Sequence, residues 1–189
     1  MALPDTTKIV RGTSKVFSSS GVYSPTAGQP SGTDADIELS TLAISGVARQ
    51  SVKLDLGSAN LDIEYAMDAY IEFFTAPTAG GTVDFYLGFS SSGTAGTNNP
   101  AGLSGADAVF QGYGADTASG TEALPQLLYV GSLVVANDAV LQVQRLGTFV
   151  PKDRYCSLVV VNNTSVALAN TDSIEIAVVI TPLQFQVQD

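Results

Sequence analysis

Short apolar runs that end in turn-forming residues recur along most of this chain. In segment 82–89, for example, every second residue from Val83 to Phe89 is large and apolar. A period of two residues places successive side chains on opposite faces of a strand, so this pattern predicts a half-buried β-strand. Comparable runs lie at 37–44, 47–56, 69–75, 127–135, 139–150, 156–162 and 174–181, with a short last run at 183–187.

These runs predict the fold class. Strong helix formers such as Lys, Glu and Arg are scarce, while β-branched and aromatic residues are common. We therefore expect an all-β protein, an antiparallel two-sheet sandwich that is jelly-roll-like, with about eight or nine strands. The sequence does not determine the strand order.

Two details of the sandwich follow from particular segments. Runs 158–161 and 177–180 are apolar at consecutive positions, which indicates central strands covered on both faces or strands packed at an interface. The turn residues of 76–81 predict a hairpin that pairs 69–75 with 82–89.

Composition divides the chain into two parts. Residues 1–36 are rich in Ser, Thr, Gly and Pro and are predicted to form an extended N-terminal arm. Residues 37–189 then form the sandwich domain, with a long Gly/Ser/Ala/Asn-rich loop at 90–126. A loop of this length is often functional, so we expect it to protrude as a contact loop, with a short helix near 105–110.

The charge balance argues against two classes of partner. The chain has 8 basic and 18 acidic residues, a formal net charge of −10. Nucleic acids and anionic membranes need clustered Lys and Arg, so neither is expected. Residues 1–33 alone carry Lys8, Arg11 and Lys15 against Asp5. Such a segment either docks on an acidic surface or is simply solvated.

Catalytic signatures are missing from the sequence. The chain has no His and one Cys, and it contains no phosphate-binding loop, so no enzymatic activity and no cofactor are expected. Cys156 opens an apolar run and is predicted to be a small buried residue. Sequon-like residues 162–165 follow a strand and are predicted to form a turn.

Three alternating carboxylates, Asp34, Asp36 and Glu38, are the candidate ion site. On a strand they would share one face, where their oxygens could bind Ca²⁺. The alternative is a solvated strand edge, where charge deters pairing with other chains. The spacing does not match the calcium-binding EF-hand loop, which favours the second interpretation. Asp62 and Glu64 alternate in the same way.

The first residues lack the charged and apolar regions of a signal peptide, and no apolar stretch approaches the roughly 20 residues of a membrane helix. We therefore expect synthesis in the cytoplasm without secretion.

The overall plan resembles a known class of proteins. A Ser/Thr/Gly-rich arm, jelly-roll-like strands, an acidic body without catalytic residues, and the stretch from Gly147 to Asn162 are similar to auxiliary virion proteins of tailed bacteriophages, of the capsid decoration (cement) type. The resemblance implies a virion protein that binds the outer capsid surface and reinforces the shell. Its implied partners are the major capsid protein or another virion protein, and its own copies, with a trimer favoured.

Two alternatives remain open. One is a tail, collar or fibre component of the virion. The other is a carbohydrate-binding sandwich module, which would present exposed tyrosines such as Tyr113 or Tyr129. For the decoration protein, the predicted contact segments are 1–36, 90–126 and 183–189.

Overall fold

The computed structural model describes residues 6–20, 23–25, 29–40, 42–44, 46–58, 63–114, 117–168 and 175–188. These residues form twelve β-strands, a short α-helix and two 3₁₀ turns at Pro100–Gly102 and Leu124–Gln126. The helix α1 spans Thr117–Ala123. The strands are β1 Thr6–Arg11, β2 Lys15–Ser18, β3 Ala35–Asp36, β4 Val47–Gln50, β5 Leu54–Asp55, β6 Glu64–Ile71, β7 Thr82–Ser90, β8 Ala108–Val109, β9 Leu128–Val134, β10 Gln142–Phe149, β11 Tyr155–Asn162 and β12 Ala177–Gln188.

Eight of the strands are nested in antiparallel pairs. Strand β2 pairs with β12, β4 with β11, β6 with β10, and β7 with β9. The pairs then separate into two sheets, in the orders β10-β6-β12-β2-β3 and β8-β4-β11-β7-β9. A chain that folds as one long ribbon and divides its strand pairs in this way is a jelly roll. The structure thus confirms the two-sheet sandwich and supplies the strand order.

The remaining strands extend these sheets. Strand β1 pairs with the C-terminal half of β12, from Thr6 opposite Gln188 to Arg11 opposite Leu183. Strand β3 adds to β2 in parallel. Segment 1–36, predicted as an arm, therefore contributes three strands to the first sheet. Phe17 is fully buried in the core there, which ties β2 into the sandwich.

The main core fills the space between the sheets. Phe85 and Leu87 of β7 and Met67 of β6 are fully buried in it, as alternation along these strands requires. The rings of Tyr65 and Phe149 stack with their centroids 5.6 Å apart. Burial of this apolar surface provides the main stabilising free energy of the fold.

The predicted hairpin between 69–75 and 82–89 is wrong. Strand β6 lies in the first sheet and β7 in the second, so the turn-rich connection carries the chain across the sandwich. The predicted strand at 37–44 is also wrong. Ile37 and Leu39 are buried as the alternation predicts, but the Glu38 amide donates to the Asp107 carboxylate rather than to a neighbouring strand.

The predicted loop at 90–126 does not protrude. Residues 91–127, of which 115–116 lie outside the described residues, fold back over the outer face of the second sheet, and we call them the covering segment. Leu103 and Phe110 of this segment pack on Val159 and Val161 of β11. No helix forms at 105–110, because β8 pairs with β4 there, and α1 begins at Thr117 instead.

The outer face of the first sheet is covered as well. Val16 and Val179 are almost fully buried beneath Tyr23 and Tyr70. The Tyr23 hydroxyl donates to the Pro30 carbonyl at 3.0 Å, which fixes the ring over the sheet. Of the two interpretations of runs 158–161 and 177–180, the structure confirms the first, central strands with both faces covered.

Candidate contact surfaces

The three alternating carboxylates are used inside the fold. The Asp34 carboxylate accepts from the Val16 amide at 2.9 Å, and the Asp36 carboxylate from the Ser20 amide at 2.7 Å. The Glu38 carboxylate accepts from the Ser19 hydroxyl and from Ser40. These contacts join β2 and the two residues that follow it to segment 34–40.

No metal centre forms among the residues that the structure describes. No group of three or more His, Cys, Asp or Glu residues there is arranged to hold an ion. Asp62, the other candidate position, lies outside the described residues, and Glu64 begins β6.

Cys156 is fully buried in the main core. Burial raises the pKa of its thiol to about 12, because the thiolate would lose its hydration. A thiol held neutral in this way is a weak nucleophile. Asn162 is also buried, and its amide donates to the carbonyls of Leu42 and Val166, so segment 162–165 forms the predicted turn.

Three arginines are paired within the chain. Arg49 binds Asp107, Arg145 binds Asp68, and Arg154 binds Asp55, each through two nitrogens and both carboxylate oxygens, with distances of 2.6–2.9 Å. Bidentate geometry of this kind is the strong form of the ion pair. These guanidinium groups are therefore engaged and do not form a basic surface.

Exposed apolar side chains concentrate on the wing formed by β9, β10 and their connecting turn. Four residues there are more than half exposed, and we call them the β9–β10 patch: Tyr129 at 51%, Val134 at 58%, Val140 at 60% and Val143 at 57%. Isolated exposed apolar residues are normal on soluble proteins, but groups of them mark contact surfaces.

Two glutamine side chains join the strands of this wing. Strands β9 and β10 are edge strands of different sheets. The Gln144 side chain accepts from the Val134 amide at 3.2 Å and donates to the Ser132 carbonyl at 2.9 Å. Gln142 bonds the main chain of Ala136 in the same way. These bonds occupy some of the backbone N–H and C=O groups along the free edge of β9. A partner protein would therefore contact side chains here rather than add a strand to the sheet.

Glycine permits the close approach of these two strands. A Cβ atom on Gly131 would lie 2.5 Å from the Leu146 carbonyl oxygen, and one on Gly147 would lie 3.0 Å from the Val130 carbonyl oxygen. Neither position has space for a larger side chain, so the glycines define the shape of the wing.

A shallow groove lies at a different place and is formed largely by the covering segment. One cavity of about 350 Å³ is lined by Tyr113, Glu122 and Gln126, and a second of about 240 Å³ shares Gln126 and is lined further by Lys152 and Asp153. We call this pair of cavities the tyrosine groove. Of the two tyrosines named from the sequence, Tyr113 lies in this groove and Tyr129 in the β9–β10 patch.

The β9–β10 patch was not predicted from the sequence. The available signal was Val143, which lies between Gln142 and Gln144 at the start of β10. Of the predicted contact segments, 183–188 pairs with β1, and Leu183 also pairs with Glu64 of β6, while residue 189 lies outside the described residues.

Comparison of the chain with known protein families, with curated proteins and with solved structures gave no match. Within the described part of the chain, no helix is both long enough and apolar enough to cross a membrane.

Proposed function

We propose that this chain is a non-enzymatic virion protein that binds the outer surface of a capsid and reinforces the shell. The observation that carries the proposal is the β9–β10 patch, four exposed apolar side chains at one side of a jelly roll whose central strands are covered on their outer faces. Jelly rolls are common among viral capsid proteins, although a fold alone does not determine function.

The architecture suits a protein that acts by contact. Both central strands are covered by the chain's own segments, so the body is rigid without a partner. The nucleophile and metal-ligand candidates of the described residues are buried or bonded internally. Repetition of one modest interface over a lattice gives a strong total effect through multivalency.

We assign the β9–β10 patch to the shell rather than to a second copy of this chain. Each copy carries a formal charge of −10, so two copies repel at long range. Arg145 beside the patch is already paired with Asp68 and offers no cation to an acidic copy. The surface therefore suits a neutral or basic apolar area on the shell.

The patch is tested by placing a charge in it. Val134→Asp and Val143→Asp should each weaken co-sedimentation with shells that lack this protein by at least about tenfold, because a buried unpaired carboxylate is costly. Val150→Asp is the matched control. Val150 is 53% exposed and directly follows β10, roughly 23 Å along the strand from Val143.

The outcomes separate the possible partners. Normal binding by both patch variants would overturn the assignment of the patch. If the patch variants instead dissociate a trimer of free chains and bind shells normally, the assignment to the shell is overturned and the patch is the subunit interface of the trimer that the resemblance implies. A tail, collar or fibre component is distinguished by its copy number, which is far below that of the shell protein.

A further inference from the structure

We propose that the tyrosine groove binds a neutral oligosaccharide. This inference does not depend on the capsid proposal, because the groove contains no residue of the β9–β10 patch. It begins with Tyr113, which is 69% exposed, the largest exposed fraction among the large apolar residues that the structure describes.

The Tyr113 ring is held in place. Its hydroxyl donates to the Gln126 side-chain oxygen at 2.8 Å, which fixes the ring against the wall of the groove. A fixed, exposed aromatic face is suited to stacking on the C–H face of a sugar ring, because the negative face of the π system attracts the positive C–H groups. Its order before binding reduces the entropy lost when a ligand is bound.

Polar groups surround this ring. Gln126 uses its oxygen for Tyr113, so its amide nitrogen is available as a donor. The Glu122 carboxylate makes no hydrogen bond or ion pair within the described structure, and it lines the same cavity. Planar amide and carboxylate groups can bind two neighbouring hydroxyls at once, which is how a sugar is oriented.

The groove continues past Gln126. The adjoining cavity has Pro100 in its wall and carries Lys152 and Asp153. Gln126 lines both cavities, so in this proposal they act as two neighbouring subsites, each for one sugar ring. The ligand is therefore an oligosaccharide rather than a monosaccharide.

The charges of the groove indicate a neutral ligand. Glu122 and Asp153 are acidic and Lys152 is basic, so the groove is acidic overall and opposes phosphate, sulfate or sialic acid. The larger cavity is open and lined mainly by polar groups, and the smaller one adds the apolar side chains of Phe89 and Leu128 beside Lys152 and Asp153, a mixed lining that suits a sugar better than a lipid chain.

A glycan array of neutral, sulfated and sialylated oligosaccharides, probed with the full chain, tests this proposal. We expect binding to neutral oligosaccharides of two or more rings. Titration calorimetry on the best ligand should then show at least a tenfold loss of affinity for Tyr113→Ala and a clear loss for Glu122→Gln.

Tyr129→Ala is the matched control, since Tyr129 is an exposed tyrosine outside the groove and its loss should leave sugar affinity unchanged. All variants should keep the unfolding midpoint of the parent chain, because these side chains lie at the surface. An array without neutral ligands, a preference for acidic glycans, or equal loss in Tyr129→Ala would overturn the proposal.

Discussion

Replacement of Phe110 by Ala tests whether the covering segment is part of the core. Phe110 is only 1% exposed and packs with Leu103, Val159 and Val161 on the outer face of the second sheet. Its amide donates to the Ala48 carbonyl at 2.9 Å, a bond that the substitution leaves in place. The change therefore removes packing and little else.

The size of the effect follows from the burial of Phe110. Replacing a buried Phe by Ala typically costs about 3–5 kcal/mol. Since one side of this cluster is a surface segment that can relax into the space, we expect the lower end, about 3 kcal/mol. With a urea dependence of about 2 kcal/mol per molar, the midpoint should fall by about 1.5 M.

Urea unfolding followed by intrinsic tyrosine fluorescence measures this shift. Tyr113→Ala is the control, because Tyr113 belongs to the same segment but is exposed, and its loss should change stability by less than about 0.5 kcal/mol. Equal, small shifts for Phe110→Ala and Tyr113→Ala would show that the segment does not stabilise the sheet, and would refute the packing described here.

Three further outcomes are expected. Gly131→Ala should destabilise the chain by about 1–3 kcal/mol in urea unfolding, because its Cβ would lie 2.5 Å from the Leu146 carbonyl oxygen; an unchanged midpoint would contradict the close approach of β9 and β10. Lys53→Met should speed amide exchange in 91–97, since the Lys53 ammonium donates to three carbonyls of that segment at 2.7–2.8 Å; unchanged exchange rates would show that these bonds do not order it. Burial raises the pKa of Cys156 to about 12 from 9.0, so the unfolded chain loses this proton first and the free energy of unfolding should fall as the pH rises from 9.0 towards 12. Cys156→Ala should show a shallower fall in the same range, and an equal slope would contradict this assignment.

Much of the fold could be predicted because burial leaves a periodic pattern. Alternation in β7 correctly placed Val83, Phe85 and Leu87 in the core, and continuous apolar residues in β11 correctly indicated a strand covered on both faces. The pairing of β6 was not, because turn residues show that the chain reverses but not whether it returns to the same sheet.

The covering segment was misjudged for a related reason. Its many small residues suggested an exposed loop, but several of them allow close packing. Gly88 of β7 lies directly beneath Leu103, and Gly102 lies against Gly112, with no space for a Cβ atom. Composition alone does not distinguish a glycine that makes the backbone flexible from one that leaves space for a neighbouring residue to pack closely.

The candidate sites depended on contacts between distant residues. Alternation placed Asp34, Asp36 and Glu38 together, but the donors that occupy them come from β2 and the chain after it. The β9–β10 patch arises only when two edge strands of different sheets meet, a juxtaposition that depends on the strand order.

Quantitative mass spectrometry of purified virus particles from the source tests the central claim most directly, by counting copies of this chain per major shell subunit. We predict a ratio near one, or another simple fraction set by the lattice symmetry. A handful of copies would assign the chain to a tail or fibre, and complete absence from the particles would contradict the virion proposal.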